Sequence, residues 1–237
     1  NNLGLVYRSK GDYPKAEDLY GCALCIREEI YASDHPMVLA TKNNIAQVYA
    51  SEERYGEAIS LFETVIREYR ENSTEDSAFL ATVYDNLSTA YREMERYEDA
   101  IDICTEGLNI RKDIYGKRSL DYAISLNNLA LIYYEMGILN DAADIFSEAL
   151  AIKKETLPEI HGQISIGYFN LGLVYDKLHR DNEALENYRA SMEIDNELEA
   201  YEDVLLTAEY IAEIYERNDM PEDAEAYRTL CSKDDVH

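Results

Sequence analysis

One phrase returns along the chain at a fixed interval: asparagine, leucine or isoleucine, a small residue, any residue, an apolar residue, tyrosine. It begins at Asn2, Asn44, Asn86, Asn128 and Asn170, each 42 residues after the last, and a degenerate copy begins at Tyr210 after a step of 40. Its tyrosines are Tyr7, Tyr49, Tyr91, Tyr133, Tyr175 and Tyr215, and nine residues after each stands an alanine: Ala16, Ala58, Ala100, Ala142, Ala184 and Ala224. Self-similarity at such a period predicts stacked supersecondary units. Each unit reads as two helices, the first ending shortly after the tyrosine and the second starting just before the alanine. Between them lie breaker and capping residues such as Gly11-Asp12-Tyr13-Pro14, Gly137 to Asp141, and Asn218 to Pro221. In the fourth unit Leu120, Ala123, Ile124, Asn127, Leu131 and Tyr134 fall on one helical face, and Leu126, Leu129, Ala130, Ile132, Tyr133 and Met136 fill much of the rest. A helix apolar on most sides is packed on several neighbours.

The residue after the recurring Leu or Ile is always small: Gly4, Ala46, Ser88, Ala130, Gly172 and Ala212. Interhelix distance is set by the residues at the contact. These positions are therefore expected where the two helices of a hairpin approach most closely, with the recurring alanines as the matching small surface. The tyrosine rings would fill the space toward the next repeat, with hydroxyls that need partners.

These small, Tyr and Ala positions resemble the tetratricopeptide repeat, and the 42-residue period with paired asparagines is similar to the kinesin light chain subtype. The fullest match runs from Ser125 to Tyr133 and on through Asp141 to Ile152, and Asp34-His35-Pro36 is similar to that subtype's inter-repeat loop. The resemblance implies an all-α fold, a right-handed α-α superhelix (solenoid) of about six helical hairpins. The expected division is one domain over 1–237, with repeats at approximately 1–33, 34–75, 76–117, 118–159, 160–199 and 200–232 and a tail at 233–237. The first repeat is truncated on this reading, because Asn1 falls inside what should be its first helix. Hairpins of this kind cannot bury their apolar faces alone and are stabilised by their neighbours.

Composition supports a helix-rich, core-forming chain: 4 prolines and 10 glycines against 46% hydrophobic residues, with 21 tyrosines. The net charge of −26, from 48 acidic and 22 basic residues, repels phosphate backbones and anionic lipid, so neither nucleic acid nor membrane is an expected partner. Residues 199–237 alone hold 12 acidic and 3 basic side chains, which would steer a basic partner to that end. No apolar run approaches the roughly 20 residues of a membrane helix, and no basic leader precedes a short apolar segment. Four cysteines, irregularly placed, suit a reducing cytoplasm better than a disulfide scaffold.

Candidate chemistry is sparse. Cys22 and Cys25 have C-x-x-C spacing but no second Cys/His pair in reach, and are expected as packing residues of a second helix. Cys104 occupies the slot of Tyr20, Phe62, Phe146 and Tyr188 and reads as core. His35, His161, His179 and His237 fall in loops or at the terminus and read as solvent-facing. Asn72-Ser73-Thr74 is a glycosylation sequon read here as a polar inter-repeat turn, and Asp76 with Asp85 reads as ordinary exposed charge. With no phosphate loop, nucleophile motif or metal-ligand spacing, no enzyme activity and no cofactor are expected.

Function is expected instead on the first helices, where the resemblance places an inward-facing pair of positions. The first series is Asn1, Asn43, Asp85, Asn127, Phe169 and Glu209; the second is Leu5, Gln47, Thr89, Leu131, Leu173 and Glu213. Neither holds Lys or Arg, unlike the basic grooves of chaperone-tail and kinesin light chain repeats, so those ligands do not carry over. Asn43, Asn127 and Asn1 can donate to and accept from a peptide backbone, or bridge neighbouring repeats; the adjacent Asn2, Asn44, Asn86, Asn128 and Asn170 favour bridging. Ile124, Leu131, Tyr134, Ile166, Phe169 and Leu173 form an apolar stretch, followed by acidic Glu209, Glu213 and Glu216. A protein or peptide with an apolar anchor and basic residues would match that order. The leading expectation is a non-catalytic protein- or peptide-binding scaffold with an adaptor or assembly role. The alternatives are a regulatory module of a larger enzyme or ATPase, and self-association through the end repeats.

Overall fold

A computed structural model of the protein describes residues 1–72 and 77–232. Among them there are twelve α-helices and no strand. They are α1 (Asn2–Ser9), α2 (Tyr13–Ile30), α3 (Pro36–Ser51), α4 (Tyr55–Asn72), α5 (Ser77–Glu93), α6 (Tyr97–Tyr115), α7 (Leu120–Glu135), α8 (Leu139–Thr156), α9 (Gly162–Lys177), α10 (Asp181–Glu197), α11 (Tyr201–Arg217) and α12 (Pro221–Ser232). The fold class is the expected one, an all-α repeat solenoid. The chain divides into two compact units, Asn1–Gly116 and Lys117–His237, and within each unit every helix packs on the helices before and after it in sequence. Ser73, Thr74 and Asp76, and the tail 233–237, lie outside the described residues.

All six hairpins turn in the same way. Gly11, Glu53, Glu95, Gly137, His179 and Asp219 take positive φ, between 55° and 78°. The next residue's N–H then donates to the carbonyl of the recurring tyrosine: Asp12 to Tyr7 at 2.9 Å, Arg54 to Tyr49 at 2.8 Å, and Arg96, Ile138, Arg180 and Met220 to Tyr91, Tyr133, Tyr175 and Tyr215 at 2.9 Å each. This is the Schellman closure of a helix C-terminus, satisfying a carbonyl that would otherwise have no partner. Glycine fills the left-handed position in only two of the six; Glu, His and Asp occupy the others at a cost of order 1 kcal/mol each. The residue after the turn does further work. Arg54, Arg96 and Arg180 lie over the rings of Tyr49, Tyr91 and Tyr175 at 4.1, 4.4 and 4.5 Å. Each also pairs with an acid three residues on, Glu57, Asp99 and Glu183.

Connections between hairpins are longer, five residues at 31–35 and at 157–161. In both, histidine starts the next helix: His35 Nδ1 accepts from Met37 N–H and His161 Nδ1 from Gln163 N–H, at 3.1 Å each. These two histidines are half-buried caps, not solvent-facing loop residues; His179 is exposed, at a left-handed turn position. The connection between α10 and α11 is different. It spans only residues 198–200, with Glu199 at φ 56° and Ala200 N–H donating to Asp195 O at 2.9 Å. The short step of 40 residues to the sixth tyrosine therefore arises because a hairpin-type turn replaces a five-residue linker.

The small residues are buried, and at Gly4 and Gly172 the close partner is the tyrosine sixteen positions on. A Cβ on Gly4 would stand 2.8 Å from the Tyr20 ring, and one on Gly172 2.5 Å from the Tyr188 ring. Size is matched along the chain: glycine goes with tyrosine, Ala46 and Ala130 with Phe62 and Phe146, and Ser88 with Cys104. Tyr20, Phe62, Cys104 and Tyr188 are 0% exposed and Phe146 is 2% exposed. In one unit Ala16, Tyr20, Ile45 and Val48 form a core cluster; in the other Ala130, Phe146, Leu150, Ile164 and Val174 form one, and Ala184, Tyr188, Ile211 and Ile214 another.

Cysteine placement yields a direct test. Cys104 is buried as expected, and desolvation pushes its thiol up to about 12. Cys22 and Cys25 are exposed, correcting the expectation that they pack inside. Their slots are shared with Thr64, Glu106 and Glu148 and with Arg67 and Asn109 in other copies, outward positions of the second helix. A neutral-pH thiol reagent should label Cys22 and Cys25 in seconds to minutes and leave Cys104 unlabelled until the chain unfolds, read by mass spectrometry of digests. Because burial raises the folded value of Cys104 above its ordinary 9, its contribution is intact below pH 9 and is lost as pH climbs toward 12. Burial, with the carboxylate of Glu63, pushes Tyr91 up to about 12 in the same direction. Thermal stability should fall across that alkaline window.

Candidate functional site

In the Asn1–Gly116 unit the expected site residues are mostly engaged in holding the repeats together. Asn43 is buried and its Oδ1 accepts from Asn86 Nδ2 at 3.1 Å. Gln47 Oε1 accepts from Arg8 Nη1. Asp85 is buried and forms an ion pair with Arg111 at 2.6 Å, the two side chains 11% and 9% exposed. Thr89 is exposed, its hydroxyl donating to the Asp85 carbonyl at 3.0 Å.

In the Lys117–His237 unit the bridge recurs, Asn170 Nδ2 donating to Asn127 Oδ1 at 3.1 Å. Asn86 and Asn170 thus each bind the first residue of the preceding copy's pair, 43 positions earlier. Asn127 is only half-buried. Around it Ile124 is half-buried, and Leu131 and Tyr134 pack on the cluster of Ala130 and Phe146 with one side left open. Lys177 Nζ lies 4.2 Å from the centre of the Tyr134 ring, and burial raises the Tyr134 hydroxyl above its usual range. Phe169 meets Tyr188 at 5.6 Å and Tyr210 edge-on at 5.4 Å, and Leu173 packs on the same cluster. Ile166 is 53% exposed, and Glu209 and Glu213 are exposed. Glu216, expected to extend that acidic wall, is paired with Arg228. This unit therefore brings an apolar, partly open patch beside the exposed carboxylates of Glu209 and Glu213.

Reading only first helices missed charges that the second helices carry inward. One register position holds Arg27, Tyr69, Arg111, Lys153 and Asp195. Arg27 donates to the Met37 carbonyl at 2.7 Å and to Thr41, and Arg111 neutralises Asp85. Lys153 is 4% exposed, and burial lowers its ammonium below the usual range. Asp195 is 5% exposed. The signal was present as a charge recurring at one step in helices of otherwise regular apolar pattern.

Among the described residues no group of His, Cys, Asp or Glu is placed to hold a metal ion, and no helix is long and apolar enough to cross a membrane.

Comparison with known proteins gives a consistent picture. Tetratricopeptide repeat family models match residues 1–71 and 79–155, and 167–198. No curated protein sequence matches the chain. Among solved structures, BtubC (BKLC) from P. vanneervenii is similar at 18% identity, covering 95% of this chain and 93% of its own, with a TM-score of 0.82. A putative kinesin light chain from Podosopora anserina, described by its nearly identical TPR-like repeats, is similar at 21% identity over 83% of this chain and 93% of its own, TM-score 0.69. The Rap conjugation gene regulator of the plasmid pLS20, solved in complex with its Phr peptide, is 19% identical over 82% of this chain but 52% of its own, TM-score 0.65.

Proposed function

Because the chain belongs to the tetratricopeptide repeat family, we propose that it is a non-catalytic scaffold that holds a segment of another protein on the first helices of its Lys117–His237 unit. The observation that carries this reading is the order of surfaces there. Half-buried Asn127, Leu131, Phe169 and Leu173 lead past exposed Ile166 to exposed Glu209 and Glu213. Apolar side chains with one open side can bury a partner's anchor, Asn127 can donate to its backbone, and the carboxylates favour a basic continuation. A structural neighbour solved in complex with a peptide is consistent with peptide binding by this fold. The exposed free thiols of Cys22 and Cys25 fit a reducing, cytoplasmic setting.

Partners selected from a peptide display on the isolated chain supply the test. Leu131→Glu combined with Phe169→Ala places a charge where the anchor would sit and removes its aromatic wall, so affinity in calorimetry should drop by at least about tenfold, roughly 1.4 kcal/mol. Unchanged affinity in a variant with intact helical circular dichroism would sink the assignment of this face.

A further inference from the structure

Beside that face lies a cavity of about 180 Å³ whose chemistry is narrower than the groove's. It opens between α9, α10 and α11. Its mouth is apolar, formed by exposed Ile166, Leu198 and Leu206 with Phe169. Its interior is polar and acidic: Asp195, 5% exposed, with Ser165 and Ser191, 2% and 1% exposed. Asp203 adds a second carboxylate at the rim.

The Asp195 carboxylate Oδ2 accepts from Ser191 Oγ at 3.3 Å, and Ser191 Oγ lies 2.9 Å from Ser165 Oγ. Among the described residues no Lys, Arg or His lies within ion-pair distance of Asp195 or Asp203. The nearby Asp203 and the loss of water together push the Asp195 carboxyl above its usual range, burial contributing most. Two hydroxyls do not compensate a desolvated anion, and isolated charges of this kind are normally paired. The position is not bound to be acidic: the equivalent residue is arginine in α6, where it meets Asp85, and lysine in α8.

We propose that this cavity is a subsite for a lysine side chain of the bound partner, its methylenes threading the apolar mouth and its ammonium neutralising Asp195. An apolar collar around a buried carboxylate fits a side chain with an apolar stem and a charged tip. Lysine fits better than arginine because the serines already occupy part of the carboxylate edge, leaving room for a point charge and not for a two-pronged guanidinium. The subsite deepens the peptide-scaffold reading and rests on it, since it assigns to the partner a lysine close to the residue that covers Phe169.

The test uses the isotope-labelled chain and two blocked pentapeptides, one holding a leucine and a lysine, the other with norleucine in place of the lysine, which keeps the four-carbon stem without the ammonium. The lysine peptide should shift the amides of Ser191, Asp195 and Thr207 saturably, and the norleucine peptide should bind at least about tenfold more weakly. Asp195→Asn, which keeps shape and removes only the buried charge, should bring the lysine peptide down to the norleucine level; Asp203→Asn should produce a smaller loss. Equal binding of the two peptides to the unaltered chain, or full lysine binding by Asp195→Asn, overturns the subsite. If both peptides shift amides around Leu131 and Phe169 alike, the subsite fails and the scaffold reading stands. If neither shifts any amide, the subsite fails, and the groove variant above decides the scaffold reading by itself.

Discussion

Arg111→Met should destabilise the protein by about 3–5 kcal/mol, the usual cost of stranding one partner of a buried ion pair. The pair is well placed for so large an effect. Asp85 and Arg111 are 2.6 Å apart with side chains 11% and 9% exposed, on the two helices of one hairpin. Solvent does little to screen them, and water has little access to Asp85 once the guanidinium is gone. The size of the loss depends on the stranded charge, not on the contact alone, so a second substitution discriminates. In the double variant Asp85→Asn with Arg111→Met no charge is left buried, and most of the loss should be recovered, because replacing both partners of such a pair is often close to neutral. Urea unfolding followed by circular dichroism reads both. A single variant within about 1 kcal/mol of the parent would mean that the pair is solvated and structurally idle.

Gly172→Ala should destabilise by about 1–2 kcal/mol although alanine is the better helix former. Helix propensity favours the change by about 0.8–1 kcal/mol. Against it, the new Cβ would stand 2.5 Å from Cδ1 and Cε1 of Tyr188, a ring that is 0% exposed and hemmed in by Phe169 and Tyr210. Overpacking a filled core typically costs about 1–3 kcal/mol, and the ring has no free space to yield. Gly21 supplies the contrast. It too lies inside a helix, yet a Cβ there meets nothing within 4 Å, so Gly21→Ala should stabilise by about 0.5–1 kcal/mol. The same substitution thus has opposite signs at two sites of the chain. Since alanine is paired with phenylalanine at Ala46 and Phe62 and at Ala130 and Phe146, adding Tyr188→Phe to Gly172→Ala should restore part of the loss. A stabilising Gly172→Ala would refute the size matching.

The helices were readable because their signals are local or periodic. The final helix, Pro221–Ser232, was legible because proline opens it and the repeat sets its length. The short first helix, Asn2–Ser9, follows from a phrase that starts at the second residue. What the asparagines bind was not readable, because the choice between ligand and neighbour depends on a partner 43 residues away. Asp85 looked like an open groove acid until Arg111, on the other helix of its hairpin, was found against it. Cys22 and Cys25 could have been placed outside from the register alone, through their shared slots with Glu106 and Glu148; there the residue type, usually buried, overrode a clear positional signal. Asp195 was lost in a chain of 48 acidic residues, where one more carboxylate reads as surface.

The turn at residues 198–200 also governs how the end of the chain comes apart. At 31–35 and 157–161 a five-residue linker separates one hairpin from the next. From α9 to α12 each connection is instead a tight turn locked by a hydrogen bond to the preceding helix, at Tyr175, Asp195 and Tyr215 in succession. A stack of repeats ordinarily frays one hairpin at a time, each opening setting its own local free energy. Here the last two hairpins share their boundary, so opening α11 and α12 should also strain α10, and hydrogen exchange should show the four helices opening more nearly together. The apolar patch around Phe169 and the cavity of Asp195 both lie within these four helices, so a ligand bound at either one should slow exchange across them.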